Sequence, residues 1–269
     1  MYFLGLLTRC KDEFFIKEFC DYYILQGVDK IFVIDDNSLD KSIYNGLDEE
    51  RVKIFYEKGL FIKGSQMNIA NKYYRKIRNN FKWIISVDVD EFITTKKNIN
   101  RTLREELSIT FKNIDCIKIP WVMMSSNNRI NNPKSILREN TFRWNHNKTH
   151  PHKVNKFRCR HKSIEVKCIF KPEKFLKLGV HRPLRNTGKN NVINSINLAK
   201  EPLSNTYKKL RESHITNGYL LCYHYRIISQ ENNLKKLNKY NYSKFNINDL
   251  IKSDYSEIKD LTMKNKAEL

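Results

Sequence analysis

Apolar positions along the first hundred residues switch period several times, and each switch marks an element. Residues 2–8 form a short apolar run that fits a buried strand. Over 12–26 the apolar side chains fall at Phe15, Ile16, Phe19, Tyr22, Tyr23 and Leu25, a helical spacing that Gly27 stops. A β-branched strand over 30–34 then runs into the turn composition Asp35-Asp36-Asn37-Ser38. The alternation continues with a strand at 52–56, a helix at 66–79 and a strand at 83–87 that ends in Asp88-Val89-Asp90-Glu91. Strands alternating with helices predict an α/β fold with a mainly parallel central sheet flanked by helices.

Past residue 100 the pattern thins. Strands are expected at 115–124, 164–170, 175–180 and 218–225, and Ser229 can cap a helix that reaches about residue 237. Residues 125–161, rich in Asn, Arg and Lys, read as an inserted mobile segment; 186–213 reads as polar with weak helical character. The last thirty residues read as a polar, partly frayed tail. The resulting division is a main domain over 1–240, with halves at about 1–125 and 126–240, followed by a polar, short helical tail over 241–269.

Composition changes this picture in two places. The net charge is +21, unevenly placed: residues 1–150 carry 25 basic and 19 acidic side chains, net +6, whereas 151–269 carry 25 and 10, net +15. Such a field favours anionic partners, among them phosphates, acidic glycans, an anionic membrane surface and nucleic acid, without choosing among them. Abundant Lys, Asn and Ile also fit a biased genome, which weakens the charge as a functional signal. Six scattered cysteines without a C-x-x-C pair predict reduced, mostly buried thiols in a cytoplasmic protein. The apolar start, cut by Arg9, Lys11, Asp12 and Glu13, is too short for a signal segment or a membrane span. His146, His150 and His152 stand in a Pro- and Asn-containing stretch without acidic or Cys partners, which reads as a loop.

In a parallel sheet ligands bind at the carboxyl ends of the strands, where three polar clusters fall: 9–13, 35–40 and 88–91. Asp88 and Asp90, one residue apart at the end of an apolar strand, repel each other unless a cation lies between them. Oxygen ligands of this kind suit Mg2+ or Mn2+, whose remaining shell is commonly filled by phosphates. An isolated D-x-D is more often a solvated turn; the flanking apolar strand and Phe92-Ile93 favour a site. Asp36 at its strand end is placed to accept hydrogen bonds from a nucleotide.

In order, "CKDEFFIKEFCDYYILQGVDKIFVIDDNSLD", Gln66 in "GSQMNIANKYY", "WIISVDVDEFI", "IPWVMMSS", "RENTFRW", "KCIFKPEKFLKLGVHRP" and "CYHYRIISQENNLKK" resemble glycosyltransferase family 92 and related family 2-like enzymes over residues 2–237. The resemblance implies a Rossmann-like GT-A fold with an acceptor-side insertion. It also implies a nucleotide-sugar donor, usually a UDP-sugar, held through a divalent metal, and a glycan or glycoconjugate acceptor. Asp88 and Asp90 match the metal and diphosphate site, and Glu91 the acidic residue behind it. Asp36, with Arg9 and Glu13, falls where such enzymes contact the nucleotide, and Gln66 opens the helix facing the donor. His181 and His224 both match a late metal or diphosphate ligand; the sequence does not separate them, with His181 slightly preferred. Lys171, Arg182 and Arg185 are further candidates for neutralising a leaving diphosphate. Inverting transfer requires a general base, for which Glu139 is the choice and Asp115 the fallback. Two rival readings, a basic nucleic-acid-binding protein and a catalytically silent GT-A domain, rank below the enzyme, because acidic strand ends repel nucleic-acid phosphates and the key carboxylates are intact.

Overall fold

A computed structural model describes residues 1–57, 66–150, 163–240 and 252–268, with backbone alone for 237–240. Fourteen strands are described: β1 (Tyr2–Cys10), β2 (Lys30–Asp35), β3 (Val52–Tyr56), β4 (Phe81–Ser86), β5 (Glu91–Thr95), β6 (Cys116–Ser125), β7 (Phe142–Arg143), β8 (Ser163–Phe170), β9 (Phe175–Leu178), β10 (Pro183–Asn186), β11 (Val192–Asn194), β12 (Thr206–Lys208), β13 (Leu220–His224) and β14 (Ile258–Lys259). The helices are α1 (Ile16–Leu25), α2 (Gln66–Ile77), α3 (Leu103–Ile109), α4 (Ile136–Glu139), α5 (Glu212–Asn217), α6 (Gln230–Tyr240) and α7 (Thr262–Ala267).

The central sheet runs β14-β7-β6-β8-β4-β1-β2-β3. β3, β2, β1 and β4 are mutually parallel, as the alternation predicts, and β8 lies antiparallel between β4 and β6. The carboxyl ends of β1, β2 and β4 therefore open on one edge, which collects the clusters after Cys10, Asp35 and Ser86. α1 buries Phe19, Tyr22 and Tyr23, all three rings packing on Phe92 of β5 at centroid distances of 5.4–6.3 Å. Tyr22 and Tyr23 donate their hydroxyls to the carbonyls of Ile93 and Glu91, so the helix fixes β5 by shape and by hydrogen bonds. Each such buried ring contributes roughly 1.5–3 kcal/mol through the apolar surface it removes from water.

Several expectations are corrected. Residues 126–150 are not a loose insert: Ile136, Leu137, Asn140, Trp144 and His146 are buried there. His146 and His150 join Trp144 and Tyr255 in an aromatic cluster, and His146 Nε2 accepts from the Met123 N–H at 3.3 Å. Residues 186–213 hold short strands where helix was expected, because β11 pairs with β6 and β12 with β8. The tail expectation fails over 252–268. Met263, Thr262, Lys266 and Asp260 are buried, and Arg143 Nε donates to Asp260 Oδ2 at 2.7 Å, tying β14 and α7 to the body. Residues 151–161 of the expected insert and 241–251 of the expected tail lie outside the described residues. The cysteines Cys10, Cys20, Cys116, Cys168 and Cys222 are buried free thiols. No helix among the described residues is long and apolar enough to cross a membrane.

Candidate active site

The turn after β4 is built from its own sequence. Val87 and Val89 are buried while Asp88 and Asp90 face the edge of the sheet, and the turn closes when Glu91 N donates to Asp88 O at 3.1 Å. Glu91, fully buried at the start of β5, returns the bond through Oε2, which accepts from Asp88 N at 2.8 Å. Lys167 of β8 reaches the same turn. Its Nζ lies 2.9 Å from Asp88 Oδ2 and 3.1 Å from Glu91 Oε2, and donates to the Val180 carbonyl at 3.1 Å. Burial opposes a charged Lys167, but Asp88 and Glu91 outweigh it and hold the ammonium well above its ordinary value. Burial pushes the Glu91 carboxyl up, against the pull of Lys167.

Asp90 has a different set of partners. β13 lies between β5 and β6, antiparallel to the first and parallel to the second, in a register that sets His224 opposite Glu91 and Met123. His224 Nε2 thereby comes to 3.6 Å from Asp90 Oδ1, and Tyr225 N donates to the Asp90 carbonyl at 2.8 Å. Lys236 of α6 supplies a cation, its Nζ 3.2 Å from Asp90 Oδ2 and 3.8 Å from Glu13 Oε1. Burial alone would raise Asp90; Lys236 and His224 reverse it and hold the carboxyl far below the usual range.

One cleft joins Asp88 and Lys167 to two of the nucleotide-side candidates, Arg9 and Gln66, with Thr8 and Val180 also lining it. At its β2 side, Arg9 Nη1 stands 3.6 Å from Asp36 Oδ2. Lys236 links Asp90, and with it His224, to Glu13, while Asp36 reaches the cleft through Arg9. His181 does not reach Asp90 directly. Its Nε2 lies 3.4 Å from Glu165 Oε1, and Trp121 stands between the two imidazoles, 5.4 Å from the ring of His181 and 4.3 Å from that of His224. Burial, with the charge of Lys167, lowers the pKa of His181.

Glu139 is placed otherwise. Its Oε1 accepts from the backbone N–H groups of Lys134 and Ser135, capping α4, and its Oε2 pairs with Arg129 at 3.0 Å. Asp115 sits at the opening of β6, accepting from Asn191 N at 2.8 Å. Lys171 follows the far end of β8, over the Trp83 ring and beside Asp115, and Arg182 donates to Asn205. Sequence reasoning missed Lys167, Lys236 and Trp121. For Lys167 a signal existed: a lysine inside the apolar strand Ile-Glu-Val-Lys-Cys-Ile-Phe needs an acidic partner when buried.

Among the described residues no group of three or more His, Cys, Asp or Glu forms a ligand cluster. A divalent ion here would use few protein donors and complete its shell with phosphate and water, the habit of Mg2+ and Mn2+. The pair Asp90 Oδ1 and His224 Nε2 fits that requirement: 3.6 Å is too long for a hydrogen bond, and both atoms can face a common ion.

Among solved structures the chain is similar to HddC from Yersinia pseudotuberculosis, at 10% identity and a TM-score of 0.38, over 72% of this chain and 89% of that one. It is also similar to a 4-diphosphocytidyl-2C-methyl-D-erythritol synthase from Anaerococcus prevotii, at 7% identity and a TM-score of 0.32, over 64% and 71%. Likeness at this level carries no statement about activity. No curated protein sequence matches the chain. The glycosyltransferase family 92 profile matches residues 57–262, which span β4 with its acidic turn, Lys167, His181, β13 with His224 and α6. The chain belongs to glycosyltransferase family 92.

Proposed function

We propose that this glycosyltransferase moves a sugar from a UDP-sugar to a hydroxyl of a glycan, lipid or protein-linked acceptor, with inversion and with Mn2+ or Mg2+. The observation that carries the reading is the approach of His224 Nε2 to 3.6 Å from Asp90 Oδ1, on the turn whose Asp88 lines a cleft with Arg9 and Gln66. Asp90 and His224 would hold the ion, with Asp88 facing the same diphosphate. The bound ion would stabilise the charge on the departing diphosphate. Asp36 accepts from the uridine or ribose, kept in place by Arg9, and Gln66 faces the donor from the first turn of α2. Lys167 and Glu91 hold the acidic turn in shape. Glu139 is not carried forward as the base, because capping and Arg129 occupy both its oxygens. Free thiols support a cytoplasmic setting, and the +15 over 151–269 supports an acceptor presented at an anionic membrane surface.

The test is thermal. A UDP-sugar with Mn2+ stabilises the native state by about 2.7 kcal/mol at a hundred times the dissociation constant, and neither component alone does so to that extent. Asp90→Asn keeps the melting temperature of the free protein and loses both the joint shift and donor hydrolysis. A wild-type joint shift in Asp90→Asn, or none in the parent with any nucleotide sugar, rejects the reading.

A further inference from the structure

Two lysines neutralise the acidic turn, and they are built differently. Lys167 is 3% exposed and satisfies three acceptors, Asp88, Glu91 and the Val180 carbonyl, so it is a fixed part of the structure. Lys236 is 18% exposed and extends from α6 to Asp90 at 3.2 Å and to Glu13 at 3.8 Å. The helix carrying it is anchored at its first turn. Ser229 Oγ accepts from Asn232 N at 3.0 Å, and Gln230 N and Glu231 N donate to the carbonyls of Arg129 and Ile130 at 2.9 and 3.0 Å. Anchoring fixes where the lysine stem begins, while its four rotatable bonds let the ammonium exchange one anionic partner for another.

An ammonium on one oxygen of Asp90 and a divalent ion on the other repel each other at short range, so their occupancies compete. A diphosphate arriving with the ion reverses the preference, because it offers the ammonium new anionic oxygens beside the acidic turn. Resting on the metal-dependent reading above, we infer that Lys236 is a tethered cation that holds Asp90 in the nucleotide-free protein and passes to the diphosphate when metal and nucleotide bind together. No proton moves in this exchange: the ammonium leaves Asp90 and pairs with a phosphate oxygen. Metal binding is thereby coupled to nucleotide binding, and free metal alone is a poor ligand.

The experiment measures Mn2+ binding by electron paramagnetic resonance, with and without UDP, in wild type, Lys236→Met and Lys236→Arg. Lys236→Met is expected to bind Mn2+ alone about tenfold more tightly and UDP at saturating Mn2+ about tenfold more weakly, the size of one partly exposed charge pair. Lys236→Arg, keeping the charge, stays near wild type in both. Opposite movement of the two affinities is the signature, since a merely structural lysine moves them together or not at all. Unchanged or weakened Mn2+ binding in Lys236→Met, with normal wild-type binding of Mn2+ and UDP, overturns the exchange alone. Absence of joint Mn2+ and UDP binding in wild type overturns the metal-dependent reading beneath it.

Discussion

Lys167→Met removes a charge from the interior without changing the length of the stem. The wild-type ammonium, 3% exposed, meets Asp88 at 2.9 Å, Glu91 at 3.1 Å and the Val180 carbonyl at 3.1 Å. The Asp88 contact counts for little, because that side chain is 56% exposed and water replaces the lysine. Glu91 bears the loss. Its side chain is fully buried, Oε1 has no hydrogen-bond partner among the described residues, and Oε2 keeps the Asp88 N–H. Breaking a buried pair from one side costs about 3–5 kcal/mol. Burial already favours the neutral acid in Glu91, which softens the penalty to about 2–3 kcal/mol. Urea unfolding at neutral pH measures it. Glu91→Gln in the Lys167→Met background should recover about 1–2 kcal/mol relative to additivity, because it removes the stranded acid. A Lys167→Met protein within about 0.5 kcal/mol of wild type, or strict additivity in the double variant, would refute the brace.

Three further expectations rest on other contacts. His224→Ala should weaken Mn2+ binding in the presence of UDP by about tenfold or more, and His181→Ala by much less, since only His224 stands beside Asp90; titration of both variants with Mn2+ decides between them. Glu139→Gln should keep kcat within a few-fold of wild type in a transfer assay, while a loss of about a hundredfold would restore Glu139 as the general base. Burial would raise Asp260, but its bonds from Thr262 and the charges of Lys96 and Arg143 outweigh it, so its folded pKa lies below the ordinary 3.8. The stability it contributes is therefore present above about pH 4 and lost as pH falls through the folded value. Asp260→Asn should cost about 2–3 kcal/mol at pH 7, and the difference should shrink steadily in unfolding curves taken below pH 4.

The half of the fold carrying the nucleotide-side candidates was legible because its elements are local and regular. β1 to β4 and the helices between them each show a period, and three of them end in a polar cluster at the functional edge. β5 was not read, since Thr94 and Thr95 are buried there and look like loop residues to a hydrophobicity pattern. The chain's last segment misled for a similar reason: Asp260, Thr262 and Lys266 are polar yet interior, satisfied by Arg143, Lys96 and the carbonyls of Ile99 and Arg101. Which late histidine faces Asp90 depends on which strand inserts beside β5, a long-range pairing that no local spacing encodes. Lys236 stands among other lysines with nothing in the local sequence to single it out, and α6 folding over the acidic turn gives it specific partners in Asp90 and Glu13.

The insertion of β13 between β5 and β6 has a consequence for biosynthesis. Glu91 and His224 are neighbours across one strand pair, although 133 peptide units separate them along the chain. Contacts of that span form late and slowly, because a long loop must close before they return any energy. On the ribosome, the acidic turn emerges well before the strand that completes its surroundings. A nascent chain halted before residue 220 therefore exposes the flanks of β5 and β6 without the strand that covers them, and activity awaits synthesis of β13.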